Sequence, residues 1–168
     1  MLRLRPFKPQ DGKYLVQWFD NEEQFMKWSA GQFSYPLTMQ QIEDYCRKWE
    51  SAENGWPMAV LDETGRVAGH LLMRTADYEE SSLFFGFIVL DPSIRGKGLG
   101  REMISLALNY AFTILKVDTV RLRVFANNPG AKRCYEAEGF EEEEFIKGNF
   151  SYQGEQWDNY QMVVRRRR

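Results

Sequence analysis

The sequence predicts an α/β fold, a mixed sheet with helices on both faces. Three observations predict it. The run SLFFGFIVL at 82–90 is apolar on both of its faces, as a strand in the middle of a covered sheet must be. The stretch that follows, 99–115, repeats apolar residues at helical spacing. Around these two the chain alternates strand-like and helix-like patterns: a strand, two helices, a β meander, a helix, a strand, a short helix and a final β pair. With 168 residues, of which 43% are hydrophobic and 15% aromatic, the chain is long and apolar enough for one domain over 1–168.

LRLRPF at 2–7 alternates as a first strand. PQDGKYLVQWFDNEEQFMKWS then places Tyr14, Leu15, Trp18 and Phe19 at helical spacing, and GQFSYPL breaks it. Thr38 with Gln41 three residues on matches a capping box and opens a helix through about Trp49. WPMAVLD and RVAGHLLMRT, joined by ETG, predict an antiparallel hairpin. In the long helix Leu99, Met103, Leu106 and Tyr110 mark the seam, widened by Ile104, Ala107, Leu108, Ala111 and Leu115. TVRLRVFA (119–126) alternates basic and apolar residues as a strand. NPGAKRCYEAE is a short helix ending at Gly139, and FEEEEFIKG with EQWDNYQMVVR closes the fold as a hairpin.

Composition excludes several functions. The chain carries 22 basic and 24 acidic residues, which argues against a general polyanion or nucleic-acid binder; the tail Arg165–Arg168 reads as a solvated basic end. No leader pattern opens the chain and no run of about 18 apolar residues occurs, so a soluble, cytoplasmic protein without membrane contact is expected. Cys46 and Cys134 lack metal-ligand spacing and His70 cannot complete a site with them, so no metal is expected and both cysteines read as reduced thiols. His70, inside VAGHLLM, reads as a hydrogen-bonded structural or surface residue rather than a catalyst.

RGKGLG at 95–100, between strand and helix, is costly as regular structure because glycine loses most entropy there. Read alone it is either a turn or a nest of free backbone N–H groups at a helix start, where phosphate oxygens bind. Arg95, Lys97 and Arg101 add positive charge. Spacing excludes a P-loop, since Lys97 is followed by Gly98. It also excludes the dinucleotide fingerprint, since Gly96, Gly98 and Gly100 are evenly spaced. A different diphosphate ligand is implied.

RGKGLG after FIVLDPSI resembles the Arg/Gln-x-x-Gly-x-Gly/Ala acetyl-CoA signature of the GNAT superfamily of N-acetyltransferases. NPGAKRCYEAEGF resembles that family's Asn-x-x-Ala-x-x-x-Tyr-x-x-x-Gly-Phe, with Asn128, Ala131, Tyr135, Gly139 and Phe140 in the matching places. FSYQGEQWDNYQM is similar to the branch that acetylates protein N-termini, polyamines and other small amines. The resemblance implies a mostly antiparallel central sheet. It implies acetyl-CoA as cosubstrate, held by Ile88, Val89, Leu90, Arg95, Gly96, Lys97, Gly98, Leu99, Gly100, Arg101 and Asn128. The strand at Ile88–Leu90 would splay from its neighbour to free backbone groups, and Tyr135 would protonate the departing thiolate. The acceptor would be a small-molecule amine or a protein N-terminus, and an edge strand near the C-terminus offers a homodimer.

The base is less marked. The branch often carries Ala-Glu-Ile-Gly-Tyr where this chain has LFFGF, so Phe84 stands in the acid's place. Asp77, Glu79 and Glu80 remain as water-relayed candidates. At pH 7 a lysine-like amine costs about 4.6 kcal/mol to deprotonate and an α-amine about 1.4, so weak basing favours acceptors of low pKa. Trp28, Phe33, Tyr35, Phe150, Tyr152 and Trp157 read equally as pocket wall or core, and Glu22 and Glu23 as a solvated helix face. A non-catalytic acyl-CoA-binding or regulatory module on the same fold is the alternative.

Overall fold

The computed structural model describes residues 1–167, so Arg168 of the basic tail lies outside the described residues. Strand β1 spans Arg3–Pro6, and a 3-10 turn at Pro9–Asp11 leads into α1, Gly12–Leu15. After α2 (Glu22–Ser29) and α3 (Met39–Glu50) come β2 (Trp56–Leu61), β3 (Val67–Asp77) and β4 (Ser82–Leu90). Helix α4 runs Leu99–Asn109, followed by β5 (Thr119–Phe125), α5 (Pro129–Ala137), β6 (Glu141–Tyr152) and β7 (Glu155–Arg165). One seven-stranded sheet results, in the order β1-β2-β3-β4-β5-β7-β6, antiparallel except where β4 meets β5. β4 is its fourth strand, the central position its two apolar faces predict.

Side-chain alternation divides the core into two layers. Leu71, Met73, Leu83, Phe85, Leu122 and Val124 face α4 and α5, whereas Leu72 and Val89 join Leu15, Phe25, Ile42 and Tyr45 under α1–α3. Helices therefore cover both faces. Along α4 the deepest residues are Met103, Ile104, Ala107 and Leu108, with Ala111 just beyond; Leu99, Leu106 and Tyr110 are only partly buried. The buried seam thus sits about one position round the helix from the expected one. Trimming Ile104, fully buried, to alanine should cost about 2–5 kcal/mol.

The first helical region departs from expectation by breaking in two. Asn21 restarts the chain as an N-cap, its side-chain oxygen accepting from Gln24 N–H at 2.8 Å. Gly12 lets α1 lie against α3, since a Cβ there would meet Ile42 Cγ2 at 2.7 Å. Thr38 caps α3 through Gln41 N–H at 3.3 Å, but the Gln41 side chain does not close the capping box on the Thr38 N–H. It donates to the carbonyls of Ser34 and Pro36 and accepts from Ser34 N–H, pinning the preceding loop. At the far edge β6 presents Glu141–Glu144 and two breaks of register, features that discourage pairing with another strand. No helix among the described residues is long and apolar enough to cross a membrane.

Candidate active site

β4 and β5 pair only from Ser82 to Phe84, opposite Thr119 to Arg121. Beyond that point they part, because β5 continues in register with β7 while β4 stays on β3. A strand sends its N–H and C=O groups alternately to its two neighbours, so the separation frees those of β4 on the β5 side. A cavity of about 670 Å³ opens in the gap. Ile88, Val89 and Leu90 line it, as the expected splay requires.

The cavity reaches the glycine loop. Asp91 begins that loop by accepting from the Ser93 N–H at 2.9 Å and the Ser93 hydroxyl at 2.8 Å, and Arg95 then donates back to the Leu90 carbonyl at 3.2 Å. Gly96 and Gly98 adopt φ of +81° and +79°, which side chains rarely take, and nothing lies within 4 Å of where a Cβ would be. Gly98 is the N-cap of α4 and supplies no side chain, so the first N–H groups of the helix have no side-chain acceptor. This uncapped, uncrowded helix start is suited to phosphate oxygens.

Of the loop residues, Arg95, Gly96 and Gly100 line the cavity; Lys97 and Gly98 are exposed beside it and Leu99 packs partly against the core. Arg101 turns away to Glu138, with Nε 3.0 Å from the carboxylate. On the opposite wall Asn128 and Tyr135 meet the cavity together from α5. Asn128 makes no side-chain cap bond, which leaves its amide free. Tyr135 is buried against Phe140, ring centroids 6.1 Å apart; burial, and then the nearby Cys134 thiol, hold its phenol well above the ordinary pKa. The phenol is thereby kept protonated beside the gap. Among the described residues no group of three or more His, Cys, Asp or Glu is placed to hold a metal ion.

The base candidates fall elsewhere. Asp77 accepts from the N–H groups of Glu79 and Glu80 at 3.0 and 2.9 Å, closing the β3–β4 turn, and none of the three lines the cavity. Phe84 lies under the Arg74 guanidinium, 5.0 Å from ring centroid to charge. The single carboxylate among the lining residues is Asp20, just before the N-cap of α2. No sequence pattern marked Asp20; it sits in a helix break that helical spacing had read through.

The aromatic residues divide. Trp28 lines the cavity, stacked on Phe33 at 5.3 Å and 5.4 Å from Phe87. Tyr35 packs on Phe25, while Phe150 and Tyr152 cluster on Trp157, itself against Phe125. These four belong to packing around the site. Glu22 and Glu23 are exposed on α2, with Glu23 3.9 Å from Lys27. His70 is fully buried between Tyr45 and Phe87, a structural position rather than a surface one.

Residues 1–141 match the family model for the acetyltransferase (GNAT) domain. A spermidine N(1)-acetyltransferase of Vibrio cholerae is 38% identical over 77 residues, covering 46% of this chain and 44% of that relative's own length. The Escherichia coli K12 spermidine N(1)-acetyltransferase is 23% identical over 97% of this chain and 85% of the relative. The crystal structure of the Vibrio cholerae spermidine N-acetyltransferase with CoA and spermine superposes with a TM-score of 0.84 at 27% identity, covering 98% of this chain and 95% of that one.

Proposed function

The chain belongs to the GNAT family of acetyltransferases, and on that premise we propose that it moves an acetyl group from acetyl-CoA to the nitrogen of a small primary amine. The observation that carries the reading is one cavity running from an uncapped glycine-loop helix start, past the parted strands, to a buried tyrosine. The diphosphate would lie on the N–H groups around Gly96, Gly98 and Gly100, with Arg95 and Lys97 supplying charge. Pantetheine would run along the free edge of β4, and Asn128 would bind its polar atoms.

The amine nitrogen attacks the thioester carbonyl carbon, its C–S bond breaks, and the thiolate takes a proton from the Tyr135 phenol. The nitrogen loses one proton, which Asp20, the carboxylate lining the cavity, would receive through water; solvent restores the phenol. Backbone N–H groups of β4 would hold the carbonyl oxygen as its charge develops. Two free, half-buried cysteines support a reducing compartment, the cytoplasm. A homodimer through β6 is disfavoured, because it would bring Glu141–Glu144 of two copies together.

Thermal melting tests the cosubstrate directly. Acetyl-CoA and CoA should each raise the melting temperature and ATP should not; no rise with either CoA species removes the reading.

A further inference from the structure

A second cavity, of about 520 Å³, lies between α3 and the adjoining parts of β3 and β4, and Phe87 lines both it and the first. Its aromatic walls are Phe33, Tyr45 and Trp49. Its charges are unbalanced. Arg74 and Lys48 line it, and the one acid, Asp44, is already held by Arg47 and Gln40, each at 3.1 Å.

Arg74 is the anomaly. It is only partly exposed, yet among the described residues no carboxylate lies within ion-pair distance; besides the face of Phe84, its single side-chain hydrogen bond is a long 3.4 Å approach to the Thr75 hydroxyl. The neighbouring Arg121, by contrast, is satisfied by two bonds to Glu143, at 2.8 and 3.1 Å. Arg123, which lines the first cavity, donates to Gln161 at 3.1 Å and also has no acid partner among the described residues. Partly buried cations are ordinarily paired, because desolvation is costly unless an anion offsets it. Burial, and after it the like charge of Arg123, push the Arg74 pKa down.

The site is also built at some expense. Gly86 leaves room for the arginine, since a Cβ there would stand 3.3 Å from Arg74 Nε. Thr75 and Phe87, both lining the cavity, hold φ of +55° and +46°, a strained conformation for residues with side chains, and most so for a β-branched one. A polycation such as spermidine would meet the unpaired Arg74 and the exposed Lys48 here.

We propose that this second cavity receives the oxyanion of the acceptor, so that the preferred substrate is a small amine bearing a carboxylate or a phosphate, with Arg74 as its main ligand and Lys48 as its second. Resting on the acetyltransferase reading, this adds its substrate class. The amine end passes Phe87 into the first cavity while the anion stays behind on Arg74.

The experiment measures acetyl transfer to β-alanine, phosphoethanolamine, n-propylamine and spermidine, with wild type and Arg74→Gln. Wild type should favour the anionic amines over propylamine about tenfold to a hundredfold in kcat/KM, the range expected of charge-assisted hydrogen bonds. Arg74→Gln should erase that preference while leaving the KM for acetyl-CoA unchanged. β-Alanine against phosphoethanolamine identifies which oxyanion fits. Preference for spermidine, or an anion preference that survives Arg74→Gln, overturns the proposal and leaves the acetyltransferase reading standing. The part of the tryptophan fluorescence that Trp49→Phe removes decides the case without turnover: inorganic phosphate and β-alanine should perturb it saturably with Arg74 present and not in Arg74→Gln. Absence of that signal in a protein that CoA still stabilises overturns the proposal alone.

Discussion

His70 Nδ1 lies 2.8 Å from the carbonyl oxygen of Phe87, and its Nε2 lies 3.0 Å from the Tyr45 hydroxyl. A carbonyl only accepts, so Nδ1 carries the proton and Nε2 accepts from Tyr45. Phe87 sits in a bulge of β4, where three steps from Gly86 to Val89 oppose two from Leu72 to His70. Because a trans peptide is planar, with its C=O and N–H opposed, fixing the Phe87 carbonyl on His70 turns the Ile88 N–H away from it. Ile88 lines the first cavity.

Replacing His70 by Phe leaves the Tyr45 hydroxyl and the Phe87 carbonyl without their partner. We expect a loss of about 2–5 kcal/mol in urea unfolding at pH 7. Burial drives the His70 pKa down from 6.5 to about 4, against upward pulls from the Phe87 carbonyl and the charge of Asp11. A depressed folded pKa gives stability that is complete above pH 6.5 and lost as pH falls toward 4, about 3 kcal/mol in all. Wild type should therefore approach the variant's stability between pH 6.5 and 4. Parallel pH curves for the two proteins would refute this role.

Tyr135→Phe should cut kcat by about a hundredfold to ten-thousandfold, the usual contribution of a positioned acid, while CoA raises the melting temperature as before. The raised phenol pKa gives a sign as well: the proton stays on through pH 10, so wild-type kcat should show no fall from phenol ionisation up to that point. Full turnover by Tyr135→Phe would instead assign the proton to a different donor, whereas a wild type that CoA stabilises but that turns over no amine would support a module that binds acyl-CoA without chemistry.

Gly98→Ala separates binding from folding. The position is open, so the substitution should cost only about 1–2 kcal/mol for the left-handed backbone. In the proposed binding mode the added methyl would stand where the diphosphate approaches the helix start, and CoA affinity should fall tenfold or more by titration calorimetry. An unchanged CoA affinity would place the diphosphate elsewhere.

These residues differ in how far the sequence announces them. The central strand and α4 were legible because periodicity is a local property, and Asn128 and Tyr135, which both line the cavity, were singled out by the resemblance of NPGAKRCYEAEGF to the family motif. The splay of β4 from β5 followed from family resemblance alone, since it depends on β7 taking β5 as its partner. Helical spacing around Tyr14–Phe19 hid the break at Asp20, for an amphipathic pattern survives a turn between two short helices. Arg74 was invisible for a related reason. Its meaning lies in a carboxylate that is missing across the sheet, and absence across strands leaves no mark along the chain.

Asp20 carries the last prediction. Only a neutral amine attacks the thioester, and an alkylamine of pKa near 10 is overwhelmingly protonated at pH 7, so a carboxylate in the cavity matters most at neutral pH. Near the acceptor's own pKa, solvent supplies the neutral amine and the carboxylate becomes dispensable. Asp20→Asn should thus lower kcat/KM for an alkylamine about tenfold to a hundredfold at pH 7, with the deficit shrinking steadily toward pH 10. For an aryl amine, neutral at both values, the deficit should be small throughout. A defect of equal size at every pH, or for both acceptors alike, would mean that Asp20 shapes the cavity wall and takes no proton from the amine.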